Sequence, residues 1–594
     1  MCRIAGIVND ALSYESRKEI VKEMCTILRH GGPDDEGVYS NEDRSLTIGH
    51  RRLSIIDLTA AGHQPMTYED GRYVISFNGE IYNYPELKAE LITSGYTFKT
   101  NSDTEVILAA FSRWGTRSFA LLNGMFAFAL WDNTTSALYL VRDPIGMKPL
   151  YYAATPEGIA FASEIKAFRP IPYLQEVNQT WKIHLLAYGH LPEPITLLKA
   201  VQPIESGSYI RYCTLSKQCE HTVFKQFSYI EKIEDRAYAI DKIREKLKAA
   251  IKRHLISDAP IGVFLSGGID SSIIALLANN YSKGELHTLS LYPEEAEFSE
   301  KTYQDLVQKN IQGYQKQDIL REKDFHQYLP TILNEMDQPS CDGINTWFIS
   351  KSAKDYGLKA VLSGLGADEL LGGYPSFDRI YPTLKLEHLP NSILNTWKHS
   401  SSKKMRRLSY LSLGGTVGKY LFLRGQFIPL EIAEQLDASE EEVIRVLKES
   451  SIMNNINHMD PRNQASWMEV NLYMRNQLLR DSDVMSMAHG IEIRIPFLDK
   501  EFIELCLKIN SDVKYSGERR KQLLIDAFKD LMPEAVWKRP KMGFTFPFYK
   551  WMINSEYIKE KMTTSGKKNL HSYQQFASEK IHWSQLMSLM LCQS

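Results

Sequence analysis

Near residue 213 the hydrophobic pattern of this chain changes its period, and that change constrains the architecture more than any other feature. Before it, short runs rich in aromatic and β-branched residues end on turn residues. Tyr73-Val74-Ile75-Ser76-Phe77 is closed by Asn78-Gly79, residues 125–131 by Asp132-Asn133, and residues 137–141 lead into Arg142-Asp143-Pro144. Such runs read as strands. Helical spacing interrupts them near 16–29 and 103–114, so this part reads as a layered α+β domain. After the change, Ile240, Ile243, Leu247, Ala250, Ile251 and Leu255 fall on one helical face. A strand at 261–265, a glycine turn and another helix follow, and the pattern repeats through Ala360-Val361-Leu362. Strand, glycine turn and helix in alternation predict a parallel α/β sheet, with a mostly helical part beyond about residue 380. The boundaries are then 1–213, a polar connector at 214–234, and 235–594.

A length of 594 residues agrees with two domains, because single cores stop growing at about 250–300 residues. The net charge of −2 gives no reason to expect a nucleic-acid or anionic-membrane partner. No apolar run approaches the roughly 20 residues of a membrane span, and Asn9-Asp10 cuts short the apolar start. Seven scattered cysteines without a Cys-x-x-Cys pair suggest neither a disulfide framework nor a zinc site, so a cytoplasmic setting is expected.

Two constellations carry chemistry. Cys2 follows the initiator Met1, whose removal would put an α-amine and a thiol on one residue. An amine of pKa about 8 can serve that thiol as a base. The Asn78 amide and the Gly79 N–H can form an oxyanion hole. Arg52 can grip a carboxylate bidentately, and Glu80 and Asp103 can hold an ammonium group. Asp103 has a second reading, as N-cap of the helix after it. The other constellation is Ser266-Gly267-Gly268-Ile269-Asp270-Ser271-Ser272, between a strand and a helix. Its glycines let the backbone approach an anion, the helix N-terminus favours phosphate, and Asp270 can hold Mg²⁺ against the phosphates. It lacks the Gly-Lys-Ser/Thr ending of a Walker loop.

The first constellation resembles the class II glutamine amidotransferases, whose glutaminase domain is an N-terminal-nucleophile (Ntn) hydrolase αββα sandwich. The runs His30-Gly31-Gly32-Pro33-Asp34, Arg142-Asp143-Pro144-Ile145-Gly146 and Ala162-Ser163-Glu164-Ile165-Lys166 match as well, with Gly31 standing where the family commonly has Arg. The resemblance implies that Cys2 is the nucleophile, assisted by Asn78 and Gly79. It also implies that Arg52, Leu53, Ile55, Asn78, Gly79, Glu80 and Asp103 bind glutamine.

The second constellation resembles the PP-loop of ATP pyrophosphatases, which form adenylates. A second turn matches too, Ser363-Gly364-Leu365-Gly366-Ala367-Asp368-Glu369 followed by Gly372-Gly373-Tyr374. The resemblance implies that ATP is bound by Leu265, Ser266, Gly267, Gly268, Asp270, Ser271, Ser272, Ser290, Ser363, Gly364 and Lys541, and Mg²⁺ by Asp270 and Asp368. With 479–483 and 492–499 also matching, the chain is similar to glutamine-hydrolysing asparagine synthetases from Cys2 to about residue 550. The last forty or so residues carry no readable motif.

The implied function is ATP-driven transfer of glutamine ammonia to a carboxylate, giving amide, glutamate, AMP and pyrophosphate. The substrates are glutamine, ATP and a carboxylate acceptor, and a homodimer is an expectation carried by the resemblance alone. Sugar aminotransferases and phosphoribosyltransferases share the glutaminase half, but the PP-loop argues against them. A scaffold with decayed sites is opposed by intact Cys2, Asp270 and Asp368. Leu365 departs from the family, which typically has Glu there when aspartate is the acceptor. It points either to a larger acceptor, such as a uronic-acid sugar, a peptide or a cell-envelope precursor, or to a relocated base.

Overall fold

The computed structural model describes all residues except Met1, Glu42, Arg44, Lys283, 450–454, Lys541, Phe544, Ser565 and Ser594. The first half holds two six-stranded antiparallel sheets. Strand Arg3–Asn9 is buried on both faces because its alternate residues enter different layers. Ile4 and Val8 join Ala127, Ala129 and Trp131 between the sheets. Ala5 and Ile7 pack with Val21 and Met24 of the helix Tyr14–Ile27. In the second sheet Phe126, Phe128 and Leu130 turn outward onto the helix Asp103–Trp114. The result is the four-layer αββα sandwich.

Both expected helices of this half form, and Tyr84–Thr93 and Trp181–Tyr188 are further helices that periodicity did not reveal. One strand differs from expectation. Tyr73–Ile81 does not stop at Asn78-Gly79 but continues in register, with Asn78 opposite Ala127 and Gly79 opposite Phe126. The glycine serves close approach rather than a turn. At φ +154° its Cβ would lie 2.1 Å from the Met125 carbonyl oxygen.

Within the polar connector, Gln218–Val223 pairs with Ser208–Cys213 as the edge strand of the second sheet. Further on, the backbone N–H groups of Ile230 and Lys232 donate to the carbonyls of Leu507 and Lys508, fastening the connector to the second half.

That half is built on a five-stranded parallel sheet in the order Gly313–Leu320, Leu286–Pro293, Ile261–Phe264, Ala360–Leu362, Glu492–Arg494. The last strand returns from deep within the helical region, and three residues with two charges gave no strand signal. One apolar cluster joins the halves. Leu53, Ile55, Tyr82, Met125 and Ile145 pack in the same core as Val263, Leu265 and Ile493.

Candidate active sites

Cys2 lies at the head of strand Arg3–Asn9, 8% exposed, with its backbone nitrogen 3.3 Å from Asn78 Oδ1. Burial raises the thiol pKa. A cavity of about 30 Å³ beside it is lined by Cys2, Arg52, Leu53, Ile55, Gly79, Glu80 and Asp103, with Glu492 reaching in from the second half. Asn78 completes the set, since its buried Nδ2 has no hydrogen-bond partner among the described residues. An amide N–H left without a partner costs about 1–3 kcal/mol, which a substrate oxyanion would recover.

Arg52 is held in place by backbone. Its guanidinium donates to the carbonyls of Thr59 at 3.0 Å and Asp57 at 2.5 Å. Gly62, which sequence inspection passed over, leaves room for it, because a Cβ there would lie 2.0 Å from Arg52 Nη2. Asp103 accepts from the Ile81 N–H at 3.0 Å, and burial pushes its carboxyl up to about 6. The N-cap of the helix is Ser102, whose Oγ accepts from the Thr104 N–H, so Asp103 points its carboxylate elsewhere. Glu80 pairs with Arg494 at 3.1 Å, and the same guanidinium holds Glu492 at 2.6 Å. Burial drives the Glu80 carboxyl well above the usual range, while Arg494 holds Glu492 low.

Several motif residues support the site from behind. Asp143 accepts from the backbone N–H groups of Ile145, Gly146, Met147 and Lys148, so that run is a folded turn. Arg3, wholly buried and not anticipated, joins Glu164 at 2.6 Å and Asp483 of the second half at 2.9 Å. It also accounts for Gly31, where a Cβ would lie 2.7 Å from Arg3 Cγ. Lys148 adds a second bridge to Asp483 at 3.1 Å.

The second pocket, of about 640 Å³, opens at the C-terminal ends of the parallel strands. Leu265, Ser266, Gly268, Asp270, Ser271, Ser363, Gly364 and Asp368 are brought together in its lining. Gly267, Ser272 and Ser290 are not. The Gly267 carbonyl accepts from Arg539, Ser272 is fully buried, and Ser290 donates to the Leu265 carbonyl at 2.9 Å. Lys541 lies outside the described residues. The loop is braced internally by the Ser266 and Ser271 hydroxyls, 2.9 Å apart, and the helix Ile269–Asn279 starts without a side-chain cap. Its first N–H groups therefore face the pocket unsatisfied by side chains, as a phosphate cradle requires.

Lys521 is the principal group that sequence inspection missed. Its Nζ lies 2.7 Å from both Asp270 and Asp368, and the two carboxylates hold its pKa up against the cost of burial. Gly373 guards this arrangement, since a Cβ there would fall 1.7 Å from Asp368 Oδ1. Leu365 lines the same pocket together with Glu369 and Asp481, whose carboxyls burial pushes up to about 7.

One short strand touches both pockets. Glu492 lines the thiol pocket and its neighbour Ile493 lines the phosphate-loop pocket, because successive strand residues point to opposite faces.

An Ntn-type thiol site fused to a phosphate-binding parallel sheet defines a two-site amidotransferase. Comparison with known proteins agrees: residues 1–224 match the glutamine amidotransferase domain and residues 242–583 match asparagine synthase. The chain belongs to the asparagine synthase family of glutamine-dependent carbon–nitrogen ligases. It is 33% identical to the glutamine-hydrolysing asparagine synthetase 1 of Bacillus subtilis, over 93% of this chain and 88% of that one. The putative glutamine-hydrolysing asparagine synthetase of Mycobacterium tuberculosis is 32% identical over 91% of this chain and 86% of its own. Amidase chry2 of Gibberella zeae is 26% identical over 90% and 86%.

Proposed function

We propose that the chain hydrolyses glutamine at Cys2 and delivers the ammonia to a carboxylate that ATP has activated in the second pocket. The observation that carries this is the strand Glu492–Arg494, whose consecutive residues Glu492 and Ile493 line the two pockets. At the first site the Cys2 thiolate attacks the amide carbon while the Asn78 amide and Gly79 N–H steady the oxyanion. The carbon–nitrogen bond breaks, ammonia leaves, and water releases glutamate from the thioester. Arg52 grips the glutamine carboxylate, and Asp103 with Glu80 its ammonium group.

At the second site the acceptor carboxylate attacks the α-phosphorus of ATP and pyrophosphate departs, held by the loop Ser266–Ser272. Ammonia then attacks the acyl-adenylate, AMP leaves, and a base takes the surplus proton. Asp270 and Asp368 both contact the Lys521 ammonium at 2.7 Å, an arrangement that supports the reading of a shared cation position. Two carboxylates plus substrate phosphates suit Mg²⁺, which when bound offsets the charge that develops on the phosphates. Leu365 cannot accept a proton, which leaves Glu369 and Asp481 as candidate bases and favours a carboxylate acceptor larger than aspartate. Seven free cysteines suit a cytoplasmic setting.

The test is ATP–pyrophosphate exchange over a panel of carboxylates that includes free aspartate, with glutamate and AMP counted per amide formed. Equal yields of the three products are expected with a large acceptor. Release of ADP, or efficient asparagine formation from millimolar aspartate, would sink the reaction class or the large-acceptor reading respectively.

A further inference from the structure

A second, larger cavity of about 1200 Å³ adjoins the nucleotide pocket. Asp342 and Tyr473 belong to the walls of both. The shared wall lies close to the reacting end, since the Tyr473 ring sits 5.9 Å from that of Tyr374, whose hydroxyl donates to Glu369 at 2.8 Å. On one side the chamber is walled by the helices Lys403–Arg406 and Pro429–Leu436. On the other it is walled by Lys567–Ala577 and the start of Trp583–Leu591, from the tail that carried no motif.

The lining holds seven Lys and Arg side chains against three Asp and Glu. Some of the cations have structural duties. Arg407 donates to the carbonyls of Leu421, Phe422 and Gly425, and Arg424 pairs with Glu469 while stacking 3.6 Å over Tyr473. The ammonium groups of Lys403, Lys567 and Lys580 make no ion pair or hydrogen bond among the described residues, although Lys403 lies near the Glu431 carboxyl. Single exposed lysines are ordinarily solvated and idle. These three come from separate segments and line one concavity, where like charges focus the field on whatever enters. A site of 300–1000 Å³ already holds a drug-sized molecule, so an amino acid such as aspartate has no use for this chamber.

Resting on the amidation reading above, we propose that the chamber holds the far end of the acceptor, and that this end carries a phosphate or diphosphate. The carboxylate passes Tyr473 and Asp342 to reach the nucleotide, while the lysines neutralise the anionic tail. Lys ammonium groups bind phosphate as mobile point charges, which suits a wide, half-open chamber better than a rigid fork would.

The test compares four carboxylates: UDP-glucuronate, a polyprenyl-diphosphate-linked glucuronate in detergent micelles, free glucuronate and free aspartate. Calorimetry reads binding, and ATP–pyrophosphate exchange reads activation. The variants are the triple Lys403→Glu, Lys567→Glu, Lys580→Glu chain and its Lys→Arg counterpart, with thermal unfolding to verify the fold. At least one diphosphate-bearing acid should bind at least tenfold tighter than free glucuronate. The Glu triple should lose that advantage through KM rather than kcat, and the Arg triple should keep it. The arm that binds tells a nucleotide-borne from a lipid-borne tail. Equal binding of tailed and tail-free acids, or an unaltered Glu triple, overturns the chamber. Exchange with aspartate alone also overturns it while leaving the amidation reading intact. Charge-dependent binding without exchange from any carboxylate keeps the chamber and defeats the amidation reading.

Discussion

The thiol pocket encloses about 30 Å³ and the nucleotide pocket about 640 Å³, and the larger one shares a wall with a further chamber. The small site is closed by charged side chains from both halves, each held by backbone or by an ion pair. At about 30 Å³ it leaves room for little more than a water or two, so its walls tolerate little variation. On the function proposed above, the large site would be strict where phosphates are held and permissive at the acceptor end, where Leu365 gives the wall an apolar surface. A chain of this kind keeps its nitrogen source fixed and is free to change what it amidates.

The sharpest way to break this comparison is to disable one site and watch the other. Cys2→Ala should lower glutamine-dependent amide formation by about 10⁴-fold or more, as loss of a nucleophile does. Ammonia-dependent formation should persist, because the thiol acts only in releasing ammonia. Product assays with each nitrogen source decide it, and a retained glutaminase rate would remove Cys2 from its role. Intact mass should also show the active protein without Met1.

Asp270→Asn tests the converse. It deletes one of the two carboxylates around the Lys521 ammonium, and several kcal/mol of charge stabilisation should go with it. At about 1.4 kcal/mol per decade that is two to three orders of magnitude in ATP–pyrophosphate exchange. Basal glutaminase should survive. Full exchange in this variant would exclude the loop as the phosphate site.

A smaller effect is expected where the two pockets meet. Arg494 is the common partner of Glu80 and Glu492, all three buried. Arg494→Met leaves two carboxyls facing each other, and removing one partner from such a group costs about 3–5 kcal/mol. Denaturant unfolding should show that loss at neutral pH and its partial recovery in acid, where the carboxyls protonate. The ratio of glutamate to amide should also climb, because the wall shared by the pockets loosens.

What the sequence disclosed about these sites follows from how local each feature is. Cys2, the Asn78-Gly79-Glu80 run and the two glycine turns are legible because their chemistry resides in adjacent residues and in backbone N–H groups. Arg3 and Lys521 were not assigned roles because their partners lie more than a hundred positions away, and Arg494 because Glu80, the partner that ties it to the thiol pocket, is equally remote. Arg3 pairs with Glu164 and Asp483, and Lys521 with Asp270 and Asp368. A lone cation in a sequence is rightly presumed solvated, and only the fold reverses that presumption. Ser272 and Ser290 show the opposite limit of residue type: both suit the chemistry, but Ser272 is fully buried and the Ser290 hydroxyl donates to the Leu265 carbonyl, positions that only the fold reveals. A layered α+β domain was visible in the short apolar runs, its αββα order only through the family resemblance, whereas the strand Glu492–Arg494 was too short and too charged to register.

The mildest expected effect is one of pH on the small pocket. Burial raises the Asp103 carboxyl to about 6, so it is ionised at neutral pH and largely neutral below that value. Only the ionised form attracts the glutamine ammonium group. KM for glutamine should therefore rise as pH falls through 6, approaching tenfold per unit, with kcat less affected. Asp103→Asn should flatten this dependence and leave KM high throughout. Stability should move the other way. A carboxyl whose pKa is higher in the folded chain makes folding less favourable as pH rises from about 4 to 6, so at neutral pH the Asn variant should unfold at a higher temperature than the parent. A residue present only for packing would change stability without touching the pH profile of KM. Opposite shifts in the two measurements would therefore assign Asp103 to glutamine, and a KM profile unchanged by the substitution would assign it to the fold.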